Sequence, residues 1–214
     1  MTYLQAINAV LRRLREDEVS TYTQSDYSKL IGDFVNESKR EVEDAWNWIQ
    51  LRSTVQVSTV SDTYAYTLTG AGNRYRILQV INDTQDTEMR LAPYTWMNRQ
   101  FTISDASTGA PLYYDINGDS SGDPTSDIFP IPDAVYTLNY NMIIPQDDLS
   151  SDSTSITVPT TPVILGAYAK AISERGEDSG VQFAEAMSRY DIAMSDAIAI
   201  DSQKVPDELN WTVN

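Results

Sequence analysis

The chain has no cysteine and no histidine among its 214 residues. Without cysteine there are no disulfides, no thiolate nucleophile and no Cys-ligated zinc. Without histidine there is no Ser-His-Asp triad, and both the commonest general base and the commonest metal ligand are missing. Basic residues are scarce: 15 Lys and Arg stand against 31 Asp and Glu, so the formal charge is 15 − 31 = −16. That balance excludes the net positive surface with which nucleic-acid readers displace counterions from phosphates. No apolar run approaches the length of a membrane span, and no basic-then-apolar leader opens the chain. The reading is a soluble protein, made in a cytoplasm and not attached to a membrane, with a structural or binding role rather than an enzymatic one.

Apolar residues make up 41% of the chain, enough for a core in a protein of this length. Thirteen Tyr against four Phe suit half-buried strands and interfaces, where a ring packs while its hydroxyl stays wet. Residues 1–51 read as a helix pair. Leu4, Ile7, Leu11 and Leu14 form one stripe, and Ile31, Phe34, Ser38, Val42, Ala45 and Ile49 form another. Thr23 with Asp26 reads as the capped start of the second helix, which the stripe carries through about seven turns. Residues 52–159 alternate at a period of two (Val55 and Val57; Tyr64, Tyr66 and Leu68; Tyr136, Leu138 and Tyr140) between Gly, Pro, Ser and Asp clusters. Gly70 to Asn73 reads as a turn, 75–81 and 155–158 as strands, and 93–99 as a short helical turn. With no helical crossover in view, this is an inserted antiparallel β domain. Residues 160–205 return to a helix pair. Thr161 and Pro162 start its first helix, Gly176 ends it, and Ser179 with Gln182 caps its second. The fold class is α+β: a four-helix bundle of N- and C-terminal helix pairs, with the β domain inserted and an extended tail at 206–214.

Candidate chemistry is thin. Asp115-Ile116-Asn117-Gly118-Asp119, running on to Asp123 and Asp127, places oxygen ligands at alternate positions, as calcium prefers. The glycine falls at the fourth position, and no glutamate closes a twelve-residue loop, so a solvated turn between strands is the better reading. Asp147 and Asp148 could be paired carboxylates of a glycosidase, but no identifying spacing supports that. The Gly-Ala-Gly turn at 70–72 has no following Lys-Ser and is no phosphate cradle. No catalytic residue, metal ligand or cofactor is assigned. Arg12, Arg13 and Arg15 form a basic cluster that either pairs with nearby acids or docks on an acidic partner, and Lys39 with Arg40 forms another. In the tail, Leu209, Trp211 and Val213 alternate after Pro206, giving an extended segment one apolar side suited to an interface.

A spaced series of motifs carries a resemblance. It comprises Gly109-Ala110-Pro111-Leu112-Tyr113-Tyr114, Phe129-Pro130-Ile131-Pro132-Asp133, the run from Tyr136 to Tyr140, Ile144-Pro145, and Val158-Pro159 before a helix. At the start of the chain, Leu11-Arg12-Arg13-Leu14 precedes a helix that closes on Trp46 and Trp48. The whole resembles the head-to-tail adaptor (connector) proteins of tailed bacteriophages, in particular the tail-tubular A type of short-tailed phages. The resemblance implies a homo-oligomeric ring, usually of twelve copies, assembled in the host cytoplasm and placed in the virion at the head–tail interface. Such a ring seats under the portal protein, receives the tail nozzle protein, and lines part of the channel through which double-stranded DNA passes without specific binding. Twelve copies would carry 12 × −16 = −192 formal charges, which repel a phosphate backbone. The tail residues Leu209, Trp211 and Val213 would then dock on the portal. Two other classes remain open: a virion decoration or receptor-binding module, and a carboxylate-based cell-wall hydrolase.

Overall fold

The computed structural model describes residues 1–102, 106–176 and 180–204. The protein is α+β and divides into two compact units, one formed by residues 1–51 together with 146 onward, the other by Arg52–Pro145. Residues 146–159, which the sequence pattern places with the strands, thus cluster with the helices.

In the helical unit, α1 (Tyr3–Arg13) begins with a reciprocal cap in which Thr2 and Gln5 satisfy each other's backbone N–H. Its stripe of Ala6, Ile7, Val10 and Leu11 is buried. The second helix, α2 (Asp26–Ala45), is capped by Ser25 and not by Thr23: Ser25 Oγ accepts from the Ser28 N–H, and Ser28 Oγ accepts from the Ser25 N–H, both at 3.0 Å. It is also shorter than its stripe suggests. Trp46 is extended, and the fully buried Trp48 turns back to donate its indole N–H to the Val42 carbonyl at 2.6 Å. A terminal carbonyl is thereby satisfied by a side chain, and Ile49 falls in a 3-10 turn.

The next long helix, α4 (Thr160–Arg175), starts one residue before the expected cap, with Pro159 at the N-cap and no side-chain cap bond. Pro162 is tolerated there because first-turn N–H groups have no intrahelical partner. Gly176 ends the helix in the left-handed region, φ 62°. The last helix, α5 (Val181–Ser202), follows Gly180 at its N-cap, φ 97°; Ser179 lies outside the described residues. Helices α1, α2 and α4 pack on one another, whereas α5 packs chiefly on α4 and buries only Ala186 and Asp201. Close α2–α4 contact depends on Gly166, where a Cβ would stand 2.9 Å from Ser38 Oγ and 3.2 Å from the Tyr190 ring. No helix among the described residues is long and apolar enough to cross a membrane.

The segment 146–159 is strapped along α2. The strand expected at 155–158 is absent: Ser155 makes only an isolated bridge with Thr2, while Ile156 and Val158 are buried in the helical unit. Lys39 and Glu43, neighbours one turn apart on α2, form an ion pair at 3.2 Å with both side chains 0% exposed. Lys39 Nζ also donates to the Gln146 and Asp147 carbonyls (2.6 and 2.9 Å), and Glu43 accepts from the Gln146 N–H. Asn36 bonds both to the Leu149 N–H and to its carbonyl.

The β unit holds two four-stranded sheets. One has the order β1 (Arg52–Ser58), β8 (Thr137–Ile143), β3 (Arg76–Asn82), β4 (Thr87–Glu88). The other has the order β2 (Ala65–Thr67), β7 (Asp123–Phe129), β6 (Tyr113–Ser120), β5 (Arg90–Leu91). Val57, Val80, Leu138 and Met142 of the first sheet share a core with Tyr114 and Ile128 of the second. The expectation of a purely antiparallel unit is corrected at one edge. Strands β5 and β6 pair in parallel, and the connection between them contains α3 (Tyr94–Thr102), a nine-residue helix where only a turn was expected. The polar stretch 115–127 is also not a loop. It forms the β6–β7 hairpin, in register Asp115↔Asp127, with Ser121 and Gly122 at positive φ in its turn.

Candidate functional site

The motif residues that carry the resemblance turn out to be framework. Gly109, at φ 149°, donates its N–H to the Ile131 carbonyl, beside the Thr108–Ile131 bridge. The Pro111 carbonyl accepts from Asn82, and Tyr113 packs its ring 5.0 Å from that of Trp96. Pro130 follows a cis peptide, and the Pro132 carbonyl accepts from the Asp62 N–H. Asp133 accepts from the Tyr136 hydroxyl at 2.6 Å. Tyr140 is fully buried, and its hydroxyl lies 2.9 Å from Ser126 Oγ, which links β8 to β7 across the two sheets.

The acidic hairpin does not gather its oxygens around a point. Asp123 accepts from the Gly72 and Gly70 N–H groups, which hold its carboxyl below the usual range. Asp119 accepts from Gly122. Among the described residues no three acidic side chains are grouped as a metal site. Asp115 and Asp127 do face each other, both buried. Asn117 donates to Asp127 at 2.8 Å and the Ile116 N–H to Asp115 Oδ1 at 2.8 Å, while Asp115 Oδ2 has no hydrogen-bond partner among the described residues.

Burial pushes both carboxyls above their ordinary values, and the charge of Asp115 adds to the rise at Asp127. The folded protein therefore keeps these protons to a higher pH than the unfolded chain does. The pair's contribution to stability is fully present below the unfolded value of about 3.9 and is lost as pH rises through the folded one. Asp115→Asn removes that loss. The variant is expected to have a higher urea midpoint than the parent at pH 7, and the gain should vanish at about pH 3.

The adjacent carboxylates Asp147 and Asp148 are engaged elsewhere: Asp148 pairs with Arg40, and the Asp147 carbonyl takes the Lys39 ammonium. The cations of the N-terminal cluster divide. Arg12 pairs with Glu18 at 2.9 Å on the surface. Arg13 donates to the Ala9 carbonyl, and Arg15 sits at φ 59° just past the end of α1. Arg13 and Arg15 come together with Arg175, from the end of α4, in the lining of a recess of about 360 Å³ that also takes in Leu14, Tyr168 and Ile172. Arg175 is held in place by Tyr27, whose hydroxyl accepts from Nε at 2.7 Å and whose ring lies 5.0 Å from the guanidinium. It also pairs with Glu16. Arg175 escaped the sequence reading, where it stands out only as a cation in the last turn before Gly176.

Helix α5 leaves Val181, Ile192 and Ile200 exposed. Near its C-terminal end a groove of about 280 Å³ runs between Pro159, Pro162, Ala193, Ala197 and Ile200. The tail residues Leu209, Trp211 and Val213 lie outside the described residues.

Among the described residues no three acidic side chains, and no cysteine or histidine, are brought together for catalysis or metal binding. What stands out on this chain of net charge −16 is a recess lined by three arginines and a helix, α5, with exposed apolar side chains. A family model described as SU10 adaptor protein matches residues 1–210, across both units. No curated protein matches the chain.

Proposed function

The chain belongs to the SU10 adaptor protein family, a family of phage head-to-tail adaptors, and from that premise we propose that it builds the ring between portal and tail nozzle. As a member it is a structural component of the virion at the head–tail junction, associated with portal and tail proteins. The finer reading is a ring of twelve copies in a virion of the short-tailed type, lining part of the DNA channel. Helices α1, α2, α4 and α5 would work as one four-helix bundle that carries the ring contacts.

The observation that carries this reading is the extent of the match, 1–210, which takes in the helices and the β unit together rather than one shared module. Two physical features agree with it. A charge of −16 per copy makes a channel wall that repels duplex DNA and lets it slide. The apolar face of α5 is covered by no other element among the described residues and is available to a neighbour. Mixing the protein with its cognate portal and weighing the complex tests the reading. The expected mass increment is twelve subunits; a portal that stays bare overturns it.

A further inference from the structure

Asn117-Gly118 is the chain's only Asn-Gly pair, and the fold sets it outside the regular pairing of its sheet. Strand β6 meets β7 through Ile116↔Ser126 and then Asp119↔Pro124, so both residues stand opposite Thr125 alone, as a bulge. Gly118 takes φ 98°, and a Cβ there would meet nothing within 4 Å, so no side chain or neighbour crowds the backbone at that point. Asn117 is exposed to water, yet its Nδ2 donates to Asp127 Oδ2 at 2.8 Å. Asp127 is only 4% exposed and faces the buried Asp115 across the hairpin. Two facing buried carboxyls resist ionising together, and burial favours the protonated form of each. The bulge thus brings together a side-chain amide, an uncrowded backbone N–H next to it, and a buried acid on the amide nitrogen. From this juxtaposition we propose that Asn117 is a site of self-modification, losing its side-chain amide to attack by the Gly118 nitrogen with Asp127 as the proton donor. The inference is independent of the ring reading.

In the first step the Gly118 nitrogen gives its proton to solvent and bonds to Asn117 Cγ, closing a five-membered ring. The bond from Cγ to Nδ2 then breaks as Asp127 passes a proton to that nitrogen, which leaves as ammonia. Asp127 regains a proton from solvent. Water opens the resulting imide at either of its carbonyl carbons. Opening at Cγ leaves an aspartate at 117, and opening at the main-chain carbon routes the backbone through the side chain. In sum one water is consumed and one ammonia released, and nothing is oxidised or reduced. Either product exchanges a hydrogen-bond donor for a carboxylate beside Asp127, on the strand that also carries Asp115. Like charges at hydrogen-bond distance oppose one another, so the modified hairpin holds together less firmly.

Incubation of the native protein at neutral pH, followed by peptide mass mapping, tests the inference. Asn117→Asp protein supplies the reference for the aspartyl product, and the urea-unfolded chain shows that the chemistry runs over the time allowed. The expected result is conversion at 117 in the native protein. The peptide carrying that residue gains the mass difference between OH and NH2 and separates into two products, while the other asparagines stay intact. Asp127→Asn keeps an acceptor for the Asn117 amide but cannot supply the proton. It should slow the native conversion at least about tenfold and leave the rate in the unfolded chain unchanged, where the two residues are apart. An Asn117 that stays intact in the native protein while the unfolded chain converts overturns the inference. Equal native rates in the parent and Asp127→Asn proteins also overturn it, because the fold then contributes no acid.

Discussion

Lys39→Ala destabilises the protein by about 3–5 kcal/mol, the cost of stranding one member of a buried ion pair. The ammonium and the Glu43 carboxylate are both 0% exposed, so water does not replace what the substitution removes. The same ammonium also serves the Gln146 and Asp147 carbonyls, so a single change frees three acceptors and loosens the strap from α2. Lys39→Met with Glu43→Leu removes both charges and keeps most of the volume. It should recover most of the loss, because an apolar replacement of a buried pair is often neutral or stabilising. Urea unfolding of the single and double variants checks this. Equal losses in both would mean that the volume at this site, and not the charge pairing, sets its stability.

The second large effect is at Tyr140. Its ring is fully buried in the shared core and meets the Tyr114 ring edge-on at 6.1 Å between centroids. Burial raises its phenol above the usual value, so the hydroxyl stays protonated and able to donate. Tyr140→Ala empties the space between the sheets and should cost about 3–5 kcal/mol, as deletion of other buried aromatics does. Tyr140→Phe keeps the ring but orphans Ser126 Oγ, which is also fully buried, and should cost about 1–2 kcal/mol. Chemical denaturation of the pair divides packing from hydrogen bonding. A Phe variant as unstable as the Ala variant would contradict the division.

Much of the helical unit was legible because its signals are local. The stripe Leu4, Ile7, Leu11, Leu14 and the break at Gly176 each state a helix face or end within a few residues. Ends set by distant or reciprocal contacts were not legible. Ser25 caps α2 by exchanging bonds with Ser28, and Trp48 stops the same helix by turning back to Val42. The hairpin at 115–127 was hidden by its composition. Asp, Asn and Gly there satisfy one another and nearby amides within strands, so turn chemistry and strand pairing look alike in sequence. The parallel β5–β6 pairing depended on recognising α3 as a helix, and its nine residues carry only one fully buried side chain, Met97. The basic recess illustrates the limit for sites. Arg13 and Arg15 announce themselves as a cluster, but their meeting with Arg175 is a product of α1 and α4 packing side by side.

An electron-microscopy reconstruction of this protein assembled with its cognate portal decides whether it forms a ring there. The expected result is a continuous ring of twelve copies capping the portal, coaxial with it, with carboxylates on the channel wall. Isolated copies scattered on the portal surface, or a closed assembly with no central passage, would contradict it.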